Sequence, residues 1–368
     1  MVSLSEKFAG CIAASWVGSA MGAAVEGWSP ERIEQTHGHL DRLLPYCHYA
    51  GRTETRWERP PGTTEDGIER QRLLATAIIE KQDRILARDL VAVWLRDLDP
   101  ARSAYKQEDY DRALLEFARA GAPPELLGSM RGVVDNVGPA RASHSIGLIN
   151  AGDPRSAADD AYEFGQVYLT RTSVALRWAA LYCAAIAAAC RPEATVESVV
   201  RTAQEFADYR GAQGQVFSSY DRVAKELDRA LEIAGRSQDV GAMRDEFCRI
   251  YTGGSYIVYG GSQANEVVAK GIAVFAFTRG NPKDAILTAV NFGRDTDCLA
   301  AIAGGLAGAL SGTESLPPDW LKQVDEATQQ DPYTNCRRTI ADTAEGLYGA
   351  FRARLAKLAD YVDTMSDA

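Results

Sequence analysis

Two stretches of this sequence, one near each end, carry small residues at every fourth position. One lies within residues 6–25 and the other within residues 300–308, and their small residues are Gly10, Ala14, Gly18, Gly22, Ala300, Gly304 and Gly308. Positions four apart share one face of an α-helix, so each stretch predicts a helix whose narrow seam lets another backbone approach closely. If the two seams face each other, Glu26 comes near Asp295 and Asp297. The alternative is that each seam packs on a different neighbour.

The rest of the chain also shows the apolar period of helices and no run of alternating polar and apolar residues. Two segments lack this period, and we interpret residues 28–61 as a long active-site loop and residues 128–154 as turn-rich. No linker rich in Pro, Gly or Ser divides the chain. The prediction is one compact all-α domain over residues 1–368, with further helices at 64–97, 109–120, 174–190, 196–207, 220–234, 240–250, 266–277, 282–291 and 339–361.

Composition limits the functions open to this chain. With 46% hydrophobic and 24% charged residues it is typical of a soluble globular protein. A net charge of −10 argues against nucleic acid as a partner. The first residues lack the basic-then-apolar plan of a signal peptide, and the apolar run at 174–190 is interrupted by Arg177. We therefore expect a cytoplasmic protein without a membrane partner, whose seven cysteines are reduced thiols.

Two acidic clusters open helix-like stretches far apart in the sequence. Thr64, Glu65 and Asp66 precede one helix, and Asp295 and Asp297 precede the other. Each cluster taken alone is explained by helix capping, because carboxylates and hydroxyls accept hydrogen bonds from the first turn. Together they supply more oxygen than capping requires. Oxygen ligands without His or Cys suit Mg²⁺, Mn²⁺ or Ca²⁺, so the pair of clusters predicts a divalent cation site.

Three stretches resemble the motifs of the ADP-ribosylglycohydrolases, the family of the dinitrogenase reductase activating glycohydrolase. They are residues 10–26, the loop of Thr64, Glu65 and Asp66, and the loop of Asp295 and Asp297 with the small-residue stretch after it. The resemblance implies the all-α fold and two Mg²⁺ ions, with Mn²⁺ possible, held by Thr64, Glu65, Asp66, Asp295 and Asp297. It also implies catalytic roles for Glu26 as acid or base, for Asp66 and for Asp295, and substrate contacts from Asn136, Gly138 and Arg141. Arg294 puts a cation beside the site and is a further predicted substrate contact.

The sequence departs from the family pattern at several site positions. Ser19 stands where the family has Asp, Glu65 replaces an Asp, and Arg294 replaces a Gly. Cys298 replaces a Thr whose hydroxyl helps to bind metal, and a neutral thiol is a poor ligand for Mg²⁺. We expect a metal-dependent hydrolase of a glycosidic bond to ribose in an ADP-ribosylated protein or small molecule. The alternatives are a glycosidase of a nucleoside-like or other small ribosyl metabolite, and a catalytically weak binding protein for an ADP-ribose-like ligand.

Overall fold

The fold is described from a computed structural model, for residues 2–47, 57–103, 108–130, 135–210, 222–252 and 262–366. These residues contain no β-strand, only two isolated bridges, which confirms the all-α prediction. Short 3₁₀ helices span Ala23–Val25 and Pro124–Met130. The α-helices are α1 Leu4–Gly22, α2 Pro30–His37, α3 Asp66–Lys81, α4 Ala87–Asp97, α5 Pro100–Ser103, α6 Asp109–Arg119, α7 Gly138–Ala142, α8 His144–Ile149, α9 Pro154–Gly165, α10 Val174–Ala189, α11 Val196–Phe206, α12 Arg222–Arg236, α13 Val240–Tyr251, α14 Ala264–Phe277, α15 Pro282–Val290, α16 Thr296–Ser311, α17 Pro318–Gln330 and α18 Ile340–Ser366.

The two seams of small residues face each other, and α1 packs antiparallel on α16 along its whole length. A Cβ placed on Gly18 would lie 2.5 Å from the carbonyl oxygen of Ala300, and one on Gly22 would lie 2.4 Å from that of Thr296. The Thr296 hydroxyl donates a hydrogen bond of 2.7 Å to the carbonyl of Gly22. The end of α1 is therefore fixed beside the start of α16, where Asp295 and Asp297 lie.

Gly308→Ala should destabilise the fold strongly. A Cβ at this position would lie 2.0 Å from the carbonyl oxygen of Gly10, so the two helices would have to separate along their seam. Overpacking of this kind typically costs about 1–3 kcal/mol, and here backbone atoms cannot rotate out of the way. The matched control is Gly349→Ala in α18, where nothing lies within 4 Å of the added methyl and the change should stabilise by about 0.5–1 kcal/mol. Urea denaturation measures the free energy of unfolding of both variants. Equal changes in the two would contradict the close contact of the seams.

Several helices pack around this central pair and supply its core. α10 is almost wholly buried and contacts α9, α11, α14 and α16, as predicted for the apolar run at 174–190. Arg177, which interrupts that run, is itself buried and donates a 2.8 Å hydrogen bond to the buried carbonyl of Ala207. The stretch Leu4–Val25 is long and apolar enough to cross a membrane by length and composition alone, but 89% of its apolar window is buried inside the protein.

Some boundaries differ from the prediction. The segment at 28–61 was predicted to be a loop, but Ser29 caps α2 and Pro30 occupies its first turn. The segment at 128–154 was predicted to be turn-rich, but it contains α7 and α8. The predicted helix at 64–97 is two helices, because Gln82 adopts the left-handed conformation (φ 54°) that ends α3. Helices of five to eight residues have too few turns to show a periodic pattern, so their formation depends on packing against the rest of the fold.

Candidate active site

The start of α16 holds two buried carboxylates, and three of their four oxygens have no hydrogen-bond partner among the described residues. Asp295 is the residue before the helix and Asp297 lies in its first turn, and their exposed fractions are 5% and 2%. Among the described residues no donor with proper geometry reaches either oxygen of Asp295 or Oδ1 of Asp297. Burial raises the pKa of both side chains, and for Asp297 the charge of Asp295 raises it further. Leaving such oxygens unpaired is costly, so the pair fits a bound cation.

The thiol of Cys298 completes a compact group with these two aspartates. One ligand atom from each of Asp295, Asp297 and Cys298 can be chosen so that all three lie within 4.8 Å of one another. All three residues are buried. Their separation is suited to a single divalent ion, and the unpaired oxygens supply the negative charge that such an ion requires. The residues present therefore fit a metal at the start of α16.

Glu26 lies next to this group because the chain after α1 is pinned to the loop before α16. The N–H of Gly27 donates to the carbonyl of Arg294 at 2.7 Å, and the N–H of Arg294 donates to the carbonyl of Trp28 at 2.8 Å. Glu26 itself is half-buried. Burial first, and then the charges of Asp297 and Asp295, raise the pKa of its carboxyl well above the usual value. The two seams face each other, and the expectation that this brings Glu26 near Asp295 and Asp297 is confirmed.

The second acidic cluster, at the start of α3, has arginine partners. Glu65 is buried, and its Oε1 lies 3.6 Å from Nε of Arg59. Asp66 is 23% exposed in its side chain and forms a 2.6 Å ion pair with Arg70, four residues along the helix. Arg70 also bonds Asp111 and Glu108. Thr64 is buried beside them. Both carboxylates of this cluster thus have a cationic partner, whereas at α16 both oxygens of Asp295 have no hydrogen-bond partner among the described residues.

Helix α7 places Arg141 against the group formed by Asp295, Asp297 and Cys298. The Arg141 side chain is wholly buried, donates to the hydroxyl of Ser19 at 2.6 Å and lies 3.7 Å from Oδ2 of Asp297. Gly67 allows this, since a Cβ there would lie 2.6 Å from Cγ of Arg141. Asn136 is half-buried, and its side-chain oxygen accepts a 2.6 Å bond from the N–H of Gly138. Both residues line the same cleft as Arg141.

Most of the residues predicted for the site meet in one cleft. Arg294 does not line it: its side chain makes a two-point ion pair with Glu266, at 2.7 and 2.8 Å, while its backbone takes a left-handed φ of 66°. Sequence reasoning gave no role to Arg70, Glu108 or Ser262. Only Arg70 carried a local signal, because it follows Asp66 by one helical turn. The cleft is lined by Glu26, Asp66, Arg70, Glu108, Asn136, Val137, Gly138, Arg141, Ser262, Asp297 and Cys298.

The histidines of the segment at 28–61 lie elsewhere. His37 stacks on Trp28 with ring centres 5.7 Å apart, and His39 is exposed at a surface groove beside α13 and α15. His48 lies outside the described residues. The interpretation of residues 28–61 as an active-site loop stays a prediction.

A buried polar network supports the cleft from behind. Nε2 of Gln71, which has two hydrogens to donate, lies within hydrogen-bond distance of three acceptors: the carbonyl of Arg141 at 2.9 Å, Oγ of Ser15 at 2.8 Å and Nδ1 of His144 at 2.9 Å. Nε2 of His144 lies 3.1 Å from the carbonyl of Ala301 and 2.9 Å from the Tyr182 hydroxyl. Since Gln71 can only donate through this nitrogen, His144 is neutral with its proton on Nε2. The network ties α1, α3, α8, α10 and α16 together.

We expect His144 to make the protein less stable below neutral pH. Burial, and then the charge of Arg141, lower the pKa of His144 to about 3. An unfolded histidine titrates near pH 6.5, so between these values the unfolded chain binds a proton that the folded chain does not. The free energy of unfolding should fall by up to about 1.4 kcal/mol per pH unit as pH drops below 6.5. Urea denaturation from pH 7 to 4 should show this slope relative to His144→Gln.

The control for that measurement is His39→Gln, which alters an exposed side chain. The free energy of unfolding of His39→Gln, relative to that of the unmodified protein, should not show the pH dependence expected for His144→Gln. A difference between unmodified protein and His144→Gln that stays constant over this pH range would contradict a neutral buried His144.

The sequence profile of the ADP-ribosylglycohydrolase family matches residues 1–356. The chain belongs to the ADP-ribosylglycohydrolase family. The uncharacterized protein YegU of Escherichia coli is 24% identical over 342 residues, which is 89% of this chain and 94% of YegU. A solved structure described as an ADP-ribosylglycohydrolase-related protein complex has a TM-score of 0.64 at 19% identity, covering 95% of this chain and all of that one.

Shorter matches are closer in sequence. The ADP-ribosylarginine hydrolase Tri1 of Pseudomonas putida is 52% identical over 44 residues, 12% of each chain. Tri1 of Serratia proteamaculans is 46% identical over 55 residues, 15% of this chain and 14% of that protein. Membership of the family makes this chain a hydrolase of the linkages of ADP-ribose, and the members of the family depend on metal. The resemblance of its motifs to this family is confirmed.

Proposed function

We propose that this protein hydrolyses the glycosidic bond between ribose and a leaving group in an ADP-ribosylated protein or small molecule, with the help of a divalent cation. The observation that carries the proposal is a group of three unpaired, buried carboxylate oxygens, two of Asp295 and one of Asp297, at a cleft that Asp297 and Glu26 line, with the pKa of the Glu26 carboxyl raised. Such a constellation has few structural uses, because each member costs stability and none of the three oxygens forms a hydrogen bond within the described protein.

The carboxylates have distinct parts in the proposed reaction. Asp295 and Asp297 would hold the cation, with Asp66 facing them across the cleft. When bound, the cation would supply Lewis acidity and a template for the ribose hydroxyls. Cleavage at the anomeric carbon passes through an oxocarbenium-like transition state, which the carboxylates of the cleft stabilise by charge. Glu26 would move the proton, either to the leaving group or from the attacking water.

Several finer predictions from the sequence are part of this proposal. We propose Asp66 as a direct participant whose carboxylate is held in place by Arg70. Thr64 and Glu65 stay predicted metal ligands. Two Mg²⁺ ions stay the predicted cofactor, with Mn²⁺ as the alternative. Asn136, Gly138, Arg141 and Arg294 stay predicted substrate contacts. A single domain, a cytoplasmic location and the absence of nucleic acid and membrane partners likewise stay predictions.

A smaller riboside is the second candidate substrate, and one observation favours it. A loop that binds pyrophosphate needs backbone N–H groups that point into the cleft. Here the N–H of Val137 donates to the carbonyl of Ser262, that of Gly138 donates to Asn136, and Pro139 has none. Neither N–H group is therefore available to a phosphate, and Pro139 supplies none. A nucleoside-like ligand would not need them.

The test is to incubate the purified protein, with divalent cations, with an ADP-ribosylarginine peptide, an O-linked ADP-ribosyl peptide and simple nucleosides. Release of ADP-ribose from either peptide, abolished by chelator, supports the proposal. Calorimetric titration with ADP-ribose, ribose and adenosine decides between the two candidates. Micromolar binding of ADP-ribose without binding of the smaller ligands would exclude a small riboside as the substrate. Absence of turnover with all of these substrates would overturn the hydrolase proposal.

A further inference from the structure

The third side chain of the group at α16 is a thiol, and it faces the cleft. Cys298 lines the cleft together with Asp297, and its exposed fraction is 9%. Its Sγ lies within 4.8 Å of a carboxylate oxygen of each of Asp295 and Asp297.

The other acidic side chains nearby have close arginine partners. Asp66 is held by Arg70 at 2.6 Å, and Glu65 lies 3.6 Å from Arg59. Within the part of the chain described, both oxygens of Asp295 and Oδ1 of Asp297 have no hydrogen-bond partner. Asp66, Glu108 and Asp111 form a separate acidic group around Arg70, so the ligand set at the start of α16 is two carboxylates and one sulfur.

Resting on the proposed cation site, we propose that Cys298 is a metal ligand and that this site selects a divalent ion with affinity for sulfur, such as Zn²⁺, Fe²⁺ or Co²⁺, over Mg²⁺. Mg²⁺ takes oxygen ligands in near-octahedral geometry. Zn²⁺ in catalytic sites takes three protein ligands from sulfur, nitrogen or oxygen and keeps a fourth position for water or substrate. The cleft beside Cys298 supplies that open side.

The balance of charge agrees with this assignment. As the metal–sulfur bond forms, the S–H bond breaks and its proton goes to solvent, so the three ligands carry three negative charges. A divalent ion leaves one negative charge. The guanidinium of Arg141, wholly buried and 3.7 Å from Oδ2 of Asp297, offsets it. Ser19 gives this guanidinium a neutral partner, so its charge is available to the metal site.

The experiment uses Co²⁺ as a spectroscopic probe in the full-length protein. Co²⁺ bound to a thiolate gives a charge-transfer band in the near ultraviolet. We expect this band in the unmodified protein and in the control Cys248→Ser, which removes a half-buried thiol on α13. It should be absent in Cys298→Thr and in Cys298→Ser, with circular dichroism used to verify that the variants fold.

Competition titrations with Zn²⁺ and Mg²⁺ give the second readout. Cys298→Thr should weaken Zn²⁺ binding by roughly 10- to 100-fold and leave Mg²⁺ binding unchanged or tighter, since a hydroxyl suits the harder ion. A Co²⁺ complex without the band, or with a band that persists in both Cys298 variants, would overturn the assignment. If metal still binds through Asp295 in that case, the proposed function survives. If no divalent ion binds at all, both proposals fail.

Discussion

Replacing Asp295 by asparagine is expected to abolish metal-dependent stabilisation and to lower turnover by at least about a hundredfold. Loss of an outer partner of a metal ligand already costs roughly 10- to 100-fold, and Asp295 offers two unpaired oxygens of its own. A ligand that binds only the folded state stabilises it by about 2.7 kcal/mol at a hundred times its dissociation constant. Thermal melting with and without chelator should show this rise for the unmodified protein and not for Asp295→Asn.

The same variant should be more stable than the unmodified protein when both are metal-free. Burial raises the pKa of Asp295 and Asp297, so ionising them in the folded chain is unfavourable above the ordinary carboxyl pKa of about 4. The variant's advantage should be largest at neutral pH and should shrink as pH falls through the raised pKa values. Asp284→Asn, at the exposed start of α15, is the control. A chelator that leaves both melting temperature and turnover of the unmodified protein unchanged would refute the metal site.

The parts of the site that could be predicted are those encoded by local pattern. Small residues four apart specify a helix face, and the two faces in this chain predict closely packed partners, but only the structure decides between a contact of α1 with α16 and separate neighbours. Asp295 precedes and Asp297 lies in the first turn of a helix whose start the pattern also located. From these two facts the position of Glu26 follows, because the chain has only a few residues in which to turn after Gly22.

The rest could not be predicted because it depends on long side chains that reach across the fold. Arg59 is buried beside Glu65 across the turn before α3, and Arg141 is buried beside Asp297, which is distant in sequence. No periodicity encodes such a pair, since an arginine can reach in many directions from one backbone position. His144 is similar: its neutral state follows from contacts with α3, α10 and α16, none of which has a local sequence signal.

Glu26→Gln is the second substitution with a large expected effect. Glutamine keeps the size of the side chain and its capacity for hydrogen bonding but cannot give or take a proton at neutral pH. If Glu26 is the acid or base, turnover should fall by roughly 10²- to 10⁴-fold, the usual contribution of such a group. Metal affinity, measured by calorimetric titration, should persist, because Glu26 is not part of the compact group formed by Asp295, Asp297 and Cys298.

The raised pKa of Glu26 separates this role from that of the aspartates. Its carboxyl is half-buried and faces the charges of Asp297 and Asp295, so it holds a proton at higher pH than an exposed glutamate and can deliver it to a leaving group. Glu31→Gln changes an exposed glutamate in the first turn of α2 and should leave turnover unaltered. If Glu26→Gln retains full turnover, Glu26 has no part in proton transfer. If it instead loses metal along with turnover, Glu26 acts as a ligand, and the proton must be moved by another group of the cleft.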